Sequence, residues 1–427
     1  MTHFQTNAVH AGYNPAEHNN SVAVPIYQTS AYTYDSAQDA ADLFNLKKFG
    51  NIYTRITNPT VDIWEKRIAK LEGGVGALAV SSGHSAQFIA ITNICEKGDN
   101  FISSNHLYGG TYTQFLITFK KQGIDARFFS PEKEANIENL IDKNTKCIYV
   151  ESLANPAFSI VDFEKISEIA KKYHLPVIVD NTVPSPALFK PFEHGANIVV
   201  HSSSKILGGQ GNSIGGVIID GGNFDWGKSD RFPGITKPSE GYHGLVFNDT
   251  FGKDCPFGNI AYILKARVEG LRDYGNCLSP FNAFLFLQGV ETLYLRTQYL
   301  SKSVEKLANF LENHPKVKNV FTPVLESSPY HDKFKKYFKN GAPGILSFEL
   351  KEGRKAGENF IENVKVAHHV TNLGDSKTLV THPASTTHRQ LSAEELETSG
   401  VSQGLIRVSI GLEHIDDIIA DFEQVIG

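Results

Sequence analysis

The sequence has 427 residues, of which 41% are hydrophobic and 20% are charged, values typical of a globular protein with more than one core. This composition excludes a disordered or fibrous chain. The formal net charge of −5 offers no basic surface for nucleic acid or an anionic membrane, so neither is predicted as a partner.

Location and redox state follow from a few local features. Residues 1–20 are polar and lack the apolar core of a secretory signal, and the apolar stretch 281–290 is too short to cross a bilayer. The cysteines lie far apart and form no CxxC pair, which predicts reduced thiols rather than disulfides or a zinc site. They are Cys95, Cys147, Cys255 and Cys277. We therefore expect a cytoplasmic protein.

The first 60 residues carry several aromatic side chains, Tyr27, Tyr32 and Tyr53 among them, but no long periodic pattern. A segment of this kind is expected to pack on its own domain or against a neighbouring subunit. We therefore interpret residues 1–60 as an N-terminal arm.

From residue 61 to residue 255, short apolar runs alternate with segments whose apolar residues have helical spacing. Apolar runs of this length predict strands buried on both faces, and hence a mostly parallel α/β sheet flanked by helices. The predicted strands are Gly76–Val80, 100–103, 147–150, 176–179 and 196–200, and the predicted helices between them are 84–95, 110–121 and 162–173.

The pattern changes after about residue 255. A long amphipathic helix is predicted over residues 282–312, followed by short strands near Ile345–Leu350 and 405–410. Long helices followed by a few short strands indicate a smaller α+β domain. We expect this C-terminal domain to span residues 256–427.

Polar residues follow three of the predicted strands, each at the point where the strand ends. Ser81, Ser82, Gly83 and His84 follow the first strand, Asp180 follows the fourth, and Ser202, Ser203, Ser204 and Lys205 follow the fifth. Ligands of open α/β sheets bind outside the carboxyl ends of the strands. These groups should therefore converge on one crevice.

Each group has a structural explanation of its own, because serines and aspartates often cap helices and most Ser-Lys pairs lie in solvated loops. Together they match the needs of one cofactor, pyridoxal phosphate. Free N–H groups at the turn beside Gly83 suit a phosphate, Asp180 suits a protonated ring nitrogen, and Lys205 suits an aldehyde. The sequence therefore predicts a pyridoxal-phosphate site at this edge of the sheet.

Five segments carry a resemblance to a known family. They are residues 51–60 (NIYTRITNPT), 107–112 (LYGGTY), 179–186 (VDNTVPSP), 201–209 (HSSSKILGG) and 404–413 (GLIRVSIGLE). In this order they resemble the cysteine/methionine-metabolism family of pyridoxal-phosphate enzymes. The resemblance implies the aspartate-aminotransferase-like fold type I, with residues 61–255 as the cofactor-binding domain. It also implies a homo-oligomer, usually a tetramer of two dimers.

The resemblance further implies roles for individual residues. Lys205 would hold the cofactor as a Schiff base and move protons, Asp180 would pair with the pyridine nitrogen, and Tyr108 would stack on the ring and take part in catalysis. Asn372 and Arg407 would bind the substrate, Arg407 through the α-carboxylate. The remaining cofactor contacts would come from Ser202, Ser204, Asn155, the backbone amides of Gly83 and His84, and, from a neighbouring subunit, Tyr53 and Arg55.

Three features favour the sulfhydrylase branch of this family. Gly110 stands where similar methionine γ-lyases have a cysteine, Asn372 stands where many lyases have a serine, and residues 254–289 resemble the longer sulfhydrylases. The reaction implied is γ-replacement on O-acetylhomoserine by sulfide or methanethiol, which gives homocysteine or methionine and acetate. The alternative is a cystathionine or methionine γ-lyase. His84 replaces the methionine or glutamine common at its position, and this change should not harm phosphate binding, because the backbone amide is what the phosphate needs.

Two other kinds of protein and a metal site are disfavoured. A dinucleotide-binding module would require GxGxxG after the first strand, and a non-catalytic scaffold leaves the strand-end residues unexplained. His382 and His388 could suggest a metal pair, but no acidic or cysteine ligand is near them in the sequence. We expect structural roles for both and for His201, and no metal.

Overall fold

The structure is a computed structural model, and it describes residues 2–386 and 402–427. Its larger sheet has seven strands. They are β1 (Gly76–Val80), β2 (Asn100–Ser104), β3 (Asp125–Phe129), β4 (Thr145–Glu151), β5 (Val177–Asp180), β6 (Ile198–Ser202) and β7 (Gly216–Asp220). Their order across the sheet is β1-β7-β6-β5-β4-β2-β3. The five strands predicted from the sequence are all present, whereas β3 and β7 were not predicted.

Most of the larger sheet is parallel. β2 pairs in parallel with β3 and β4, and the parallel run continues through β5 to β6. β7 is antiparallel to both β6 and β1. The connection from β6 to β7 over residues 203–215 contains no crossover helix, so the chain returns beside β6 in the opposite direction. The prediction of a mostly parallel sheet flanked by helices is confirmed, with one antiparallel strand added.

The larger sheet has an apolar core on each face. Successive side chains of a strand point to opposite faces, and in β1 Ala77 and Ala79 enter one core while Leu78 and Val80 enter the other. The α-helices in the described part of the chain are Phe4–His10, Ala37–Phe44, Pro59–Glu72, Gly83–Thr92, Gly109–Thr113, Phe163–Tyr173, Ser185–Leu188, Pro233–Thr236, Phe247–Phe251, Ala261–Lys265, Arg272–Tyr274, Pro280–Glu291, Leu293–Glu312, His331–Tyr337, Arg354–Asn363 and Ile415–Ile426. Because both faces are covered, ligands can reach this sheet only at the strand ends.

A second, smaller sheet lies in the C-terminal part of the chain. Its strands are β8 (Val317–Phe321), β9 (Ile345–Leu350), β10 (His368–His369), β11 (Leu379–Thr381) and β12 (Leu405–Ser409), in the order β10-β11-β12-β9-β8. Helices Arg354–Asn363 and Ile415–Ile426 pack on it through an edge-to-face contact of Phe360 with both Phe348 and Phe422, at ring-centroid distances of 5.2 and 4.9 Å. The two strands predicted near residues 345–350 and 405–410 are confirmed as β9 and β12.

The single helix predicted over residues 282–312 is wrong. The structure has two helices, Pro280–Glu291 and Leu293–Glu312, with Thr292 between them. The side chains of Thr292 and Arg296 both donate to the carbonyl oxygen of Gly289, at 3.3 and 2.8 Å. A carbonyl occupied in this way is a poor acceptor for the next turn of helix, which explains the break.

Two other helices also depart from regular geometry. The helix predicted over residues 110–121 begins as an α-helix at Gly109–Thr113 and continues as a π-helix over Gln114–Phe119. A second π-helical turn covers Ala266–Leu271. Wider turns of this kind are rare and occur often beside functional sites. Short 3₁₀ turns cover Pro15–Glu17, Glu134–Leu140, Pro191–His194, Trp226–Lys228, Glu240–Tyr242 and Pro383–Ser385.

The N-terminal arm is mostly exposed. Its first helix, Phe4–His10, buries Ala8, but Val22, Phe44, Phe49 and Tyr53 all present apolar surface to solvent. None of the helices in the described part of the chain combines the length and apolar character needed to cross a bilayer.

Candidate active site

A cavity of about 410 Å³ lies at the carboxyl ends of the larger sheet. Its floor is formed by the turns after β1, β5 and β6, which contribute Gly83, Asp180 and Lys205, and part of its wall comes from residues that precede β11 or lie on β12. The strand-end groups predicted from the sequence therefore meet at one crevice, except that Ser81 and Ser203 do not line it. The volume is within the range of small-molecule sites.

Lys205 is the centre of a hydrogen-bonded group that joins the two sheets. Its Nζ donates to Asn372 Oδ1 at 2.6 Å, and Arg407 Nη2 donates to the backbone oxygen of Asn372 at 2.8 Å. Burial, followed by the nearby positive charge of Arg407, lowers the pKa of the Lys205 amine to about 8. A substantial fraction of this amine is therefore neutral near physiological pH.

Arg407 is itself buried, with a relative exposure of 5%, and burial lowers its pKa to about 10. It lies on β12, which is held between β11 and β9, with Thr381 and Ser347 opposite it. Its Nε has no hydrogen-bond partner within residues 2–386 and 402–427. A buried guanidinium with a free donor beside a cavity suits an anionic ligand.

Asp180 ends β5 and lines the same cavity. Its Oδ1 accepts from the backbone N–H of Thr182 at 2.9 Å, and its Oδ2 accepts from the hydroxyl of Tyr149 at 3.3 Å. These two donors fix the direction of the carboxylate. Thr182 also holds the next strand end, because its Oγ1 accepts from the backbone N–H of Ser202 at 2.8 Å.

The turn after β1 leads directly into a helix N-terminus at the cavity. Ser82 caps helix Gly83–Thr92 by accepting from Ser85 N–H, and the first N–H groups of a helix have no partner within it. A Cβ on Gly83 would lie 2.6 Å from Ser202 Cβ, so only glycine lets the two strand ends approach this closely. Ser204 lines the cavity as well, and its hydroxyl accepts from Gly215 N–H at 3.0 Å.

Sequence reasoning missed Glu151, which ends β4 and lines the cavity. Its Oε1 accepts from Tyr108 N–H at 2.7 Å and its Oε2 accepts from Asn155 N–H at 3.3 Å. Burial, followed by the charge of Asp180, raises the pKa of this carboxyl well above its usual range. The signal was present, because Glu151 follows an apolar strand in the same way as Asp180.

Arg296 was also missed, and it holds the loop that follows Lys205. Its guanidinium donates to Ile206 O at 2.9 Å and to Gly289 O at 2.8 Å, and burial lowers its pKa to about 10. Because Arg296 lies about ninety positions from the loop in sequence, no local pattern indicates this role.

Tyr53 and Arg55 do not line the cavity of their own chain. Tyr53 is 43% exposed, and Arg55 lies beside its ring, with Nη1 donating to the backbone oxygen of Arg272. This placement is compatible with the expectation that both act in a neighbouring subunit.

Two of the three histidines for which structural roles were predicted have hydrogen-bond partners within the protein. His382 bonds Ser385 Oγ through Nδ1 and Gln403 O through Nε2, whereas His201 bonds Glu72 in the core through Nε2. Neither of these two lines the cavity. His388 lies outside the described residues.

The cavity fits pyridoxal phosphate. The partly neutral amine of Lys205 suits the aldehyde, and the carboxylate of Asp180, oriented by two donors, suits the ring nitrogen. The N-terminus of helix Gly83–Thr92, beside two serines, suits the phosphate. Asn155 Oδ1 is buried at its edge and has no hydrogen-bond partner in the part of the chain that the structure describes. A bound ring with a hydroxyl would satisfy it.

Known proteins support the same conclusion. Residues 5–426 match the family described as Cys/Met metabolism PLP-dependent enzyme. An O-acetyl-L-homoserine sulfhydrylase of Leptospira meyeri is 48% identical over 425 residues, covering 99% of this chain and 96% of the relative. Sulfhydrylase FUB7 of Gibberella moniliformis is 48% identical over 423 residues, again covering 99% and 96%.

A solved structure is similar over its whole length. It comes from Campylobacter jejuni, is described as an O-acetylhomoserine (thiol)-lyase, and carries N'-pyridoxyl-lysine-5'-monophosphate at its position 205. It is 45% identical, has a TM-score of 0.96, and each chain covers 100% of the other. The predicted fold type I is thereby confirmed, as is the family resemblance. With the match running from residue 5 to residue 426, the chain belongs to the Cys/Met metabolism PLP-dependent enzyme family, and its cofactor is pyridoxal phosphate.

Proposed function

We propose that the protein catalyses γ-replacement on O-acetylhomoserine, with sulfide as the nucleophile, to give homocysteine and acetate. Methanethiol in place of sulfide gives methionine directly. This is the activity of an O-acetylhomoserine aminocarboxypropyltransferase, and sulfhydrylases of this kind are among the relatives that are 48% identical to the chain. The observation that carries the proposal is the contact of Lys205 Nζ with Asn372 beside the free Nε of Arg407.

Arg407 binds the α-carboxylate of the amino-acid substrate in this proposal. Its guanidinium is buried and already fixed through Nη2, and Nε, which has no partner among the described residues, can donate to a carboxylate. Asn372 holds the guanidinium and the Lys205 amine in one arrangement. An amino acid bound at Arg407 therefore places its Cα near Lys205.

Lys205 bonds the cofactor aldehyde at rest and moves protons once the substrate amine has displaced it. The bound cofactor supplies an electron-withdrawing ring that stabilises negative charge at Cα. Lys205 Nζ removes the proton from Cα, a proton is then lost from Cβ, and acetate leaves the γ-carbon. Hydrosulfide adds to the γ-carbon, and protons return to Cβ and Cα, which gives homocysteine. An amine with a pKa near 8 is suited to both removing and returning protons at neutral pH.

The other cavity residues hold the cofactor in this proposal. Asp180 pairs with the ring nitrogen, Tyr108 stacks on the ring, and Asn155 contacts its hydroxyl. The phosphate is bound by Ser202, Ser204 and the backbone amides of Gly83 and His84. The carboxylate directed by Thr182 and Tyr149 and the helix N-terminus capped by Ser82 support these assignments.

We also propose that the enzyme is a homo-oligomer in which Tyr53 and Arg55 reach the phosphate of a neighbouring subunit. The exposed aromatic arm supports this, as does the finding that neither residue is part of the lining of its own cavity. Mixing inactive Arg55→Ala with inactive Lys205→Ala subunits should restore part of the activity, because mixed oligomers then contain one complete site. Failure of any mixture to recover activity contradicts shared sites.

The rival activity is a cystathionine or methionine γ-lyase, and product analysis separates it from the proposal. The holoenzyme is incubated with O-acetylhomoserine and sulfide, and homocysteine is measured. The succinyl and phosphoryl esters of homoserine are compared under the same conditions, because the sequence alone does not distinguish which ester is the substrate. Efficient cleavage of cystathionine or methionine with no reaction of O-acetylhomoserine contradicts the proposal. The cytoplasmic location expected from the sequence stays a prediction.

A further inference from the structure

The side chain of His84 has no place in the proposed cofactor contacts, which use only its backbone amide. Its imidazole is exposed, lines the cavity, and meets the ring of Tyr108 edge to face, with ring centroids 6.0 Å apart and planes at 73°. Lys205 and Arg407, in contrast, lie at the more buried end of the same cavity. In the single chain, His84 and Tyr108 therefore form a wall near the open end.

This wall depends on a residue without a side chain. An ideal Cβ on Gly110 would lie 2.9 Å from His84 Nε2 and 2.7 Å from Tyr108 Cε1. Real Cβ atoms are not found at such distances from other heavy atoms, so any larger residue at position 110 forces at least one ring to move. Gly110 thus leaves the space in which the imidazole of His84 sits.

We infer that His84, accommodated by Gly110, is a specificity-determining residue that limits the size of the group bound at the open end of the cavity. The inference rests on the proposed function for the identity of that group. With the α-carboxylate at Arg407 and the amine at Lys205, the substrate side chain extends toward the open end. The leaving acyl group departs there and the sulfur nucleophile arrives there, so His84 restricts the nucleophile to sulfide and small thiols.

The expected effect is a change in the preference among thiols, measured as a ratio of kcat/KM values. One methylene of fit in a pocket changes kcat/KM by roughly 10- to 200-fold. His84→Ala removes the imidazole and opens space for two or more extra methylene groups. The ratio of kcat/KM for 1-propanethiol to that for sulfide should therefore rise at least tenfold. His84→Gln keeps a side chain of similar length and polar character and should keep the ratio of the unsubstituted enzyme.

Gly110→Ala tests the dependence on glycine. It should change the same ratio when His84 is present and have a smaller effect in the His84→Ala background, where the imidazole is absent. The contact with Tyr108 exists in both backgrounds, so the difference between them isolates His84. His10→Ala, at an exposed histidine outside the cavity lining, is the matched control and should leave the ratio unchanged.

The test measures holoenzyme turnover of O-acetylhomoserine with sulfide, methanethiol, ethanethiol and 1-propanethiol, after thermal unfolding has shown that each variant is folded. A ratio in His84→Ala within twofold of the unsubstituted value overturns the inference, as does an equal effect of Gly110→Ala in both backgrounds. If the unsubstituted enzyme converts no O-acetylhomoserine, the proposed function fails separately. The effect of His84 on size is then tested by binding alanine, 2-aminobutyrate and norleucine, followed by the change in cofactor absorbance. The inference stands only if His84→Ala binds the longer amino acids better, relative to alanine, than the unsubstituted enzyme does.

Discussion

The two sides of the cavity are built differently. On the side of the larger sheet, Asp180, Ser202 and Lys205 lie at or just beyond strand ends and are tied to nearby backbone, as in the bond from Lys205 N–H to Ser202 O at 3.2 Å. On the side of the smaller sheet, Asn372 lies in a loop before β11 and Arg407 lies within β12. The first side is positioned by local geometry, whereas the second depends on how the smaller sheet packs against the larger one.

The two sides meet at a single amine. Lys205 comes from the larger sheet, but its Nζ is held by Asn372 and its pKa is lowered in part by Arg407, both from the other side. The larger sheet thus supplies the reactive group, and the smaller sheet supplies its orientation and part of its electrostatic environment. Substitutions on the two sides should therefore have different kinetic signatures.

The largest effect is expected on the side of the larger sheet. Lys205→Ala should abolish the visible absorbance of the lysine-bound cofactor and reduce kcat by about 10³-fold or more, because the proposed mechanism assigns the transfer of the Cα proton to Lys205. Absorbance spectra and turnover of O-acetylhomoserine measure both losses. Retention of most of the activity would show that Lys205 is not the base.

Arg407→Lys should affect substrate binding more than chemistry. An ammonium cannot reproduce the two-point contact of a planar guanidinium with a carboxylate, and the loss of one charged hydrogen bond costs roughly 2 kcal/mol, or about thirtyfold. We expect KM for O-acetylhomoserine to rise by about this factor with a smaller change in kcat. Arg354→Lys, at an exposed arginine, is the control. An unchanged KM in Arg407→Lys would remove Arg407 from the substrate site.

Asn372→Ala should have a smaller effect, because it removes only the side-chain contact of Asn372 with Lys205. The hydrogen bond to Lys205 Nζ is lost, while the bond from Arg407 to the backbone oxygen remains. One hydrogen bond contributes about 1 kcal/mol, so kcat should fall about fivefold with KM little changed. A rise in KM without a fall in kcat would instead assign Asn372 to substrate binding alone.

The smallest effect is a shift along the pH axis. Burial and then Arg407 lower the pKa of Lys205 to about 8, and only the neutral amine attacks the cofactor aldehyde. The rate at which apoprotein captures pyridoxal phosphate should therefore rise with pH, reach half its maximum near pH 8 and level off above it. Arg407→Gln removes a positive charge that favours the neutral amine, so its midpoint should move to higher pH. Stopped-flow absorbance measures the midpoint, and a shift to lower pH would contradict the assignment.

The sequence predicts the side of the site on the larger sheet better than the side on the smaller sheet. The groups after β1, β5 and β6 could be found because polar residues directly follow apolar strands, and parallel strands bring such ends together. Arg407 has no such signal, because it lies inside a strand, and only the family resemblance pointed to it. Glu151 has the same sequence signal as Asp180, a polar residue directly after an apolar strand, but it was not predicted as a site residue. The helix break at Thr292 could not be predicted from periodicity, because it depends on side-chain bonds from Thr292 and Arg296 to the carbonyl oxygen of Gly289.

The bonds from Arg296 to the residues after Lys205 have a consequence for folding. The loop that carries the lysine is bound by a guanidinium on helix Leu293–Glu312, far away in sequence, through the backbone oxygens of Ile206 and Leu207. Bringing such distant segments together costs loop-closure entropy before the contact forms. The larger sheet can therefore assemble before the lysine loop is ordered, and the ability to capture the cofactor should appear late in refolding.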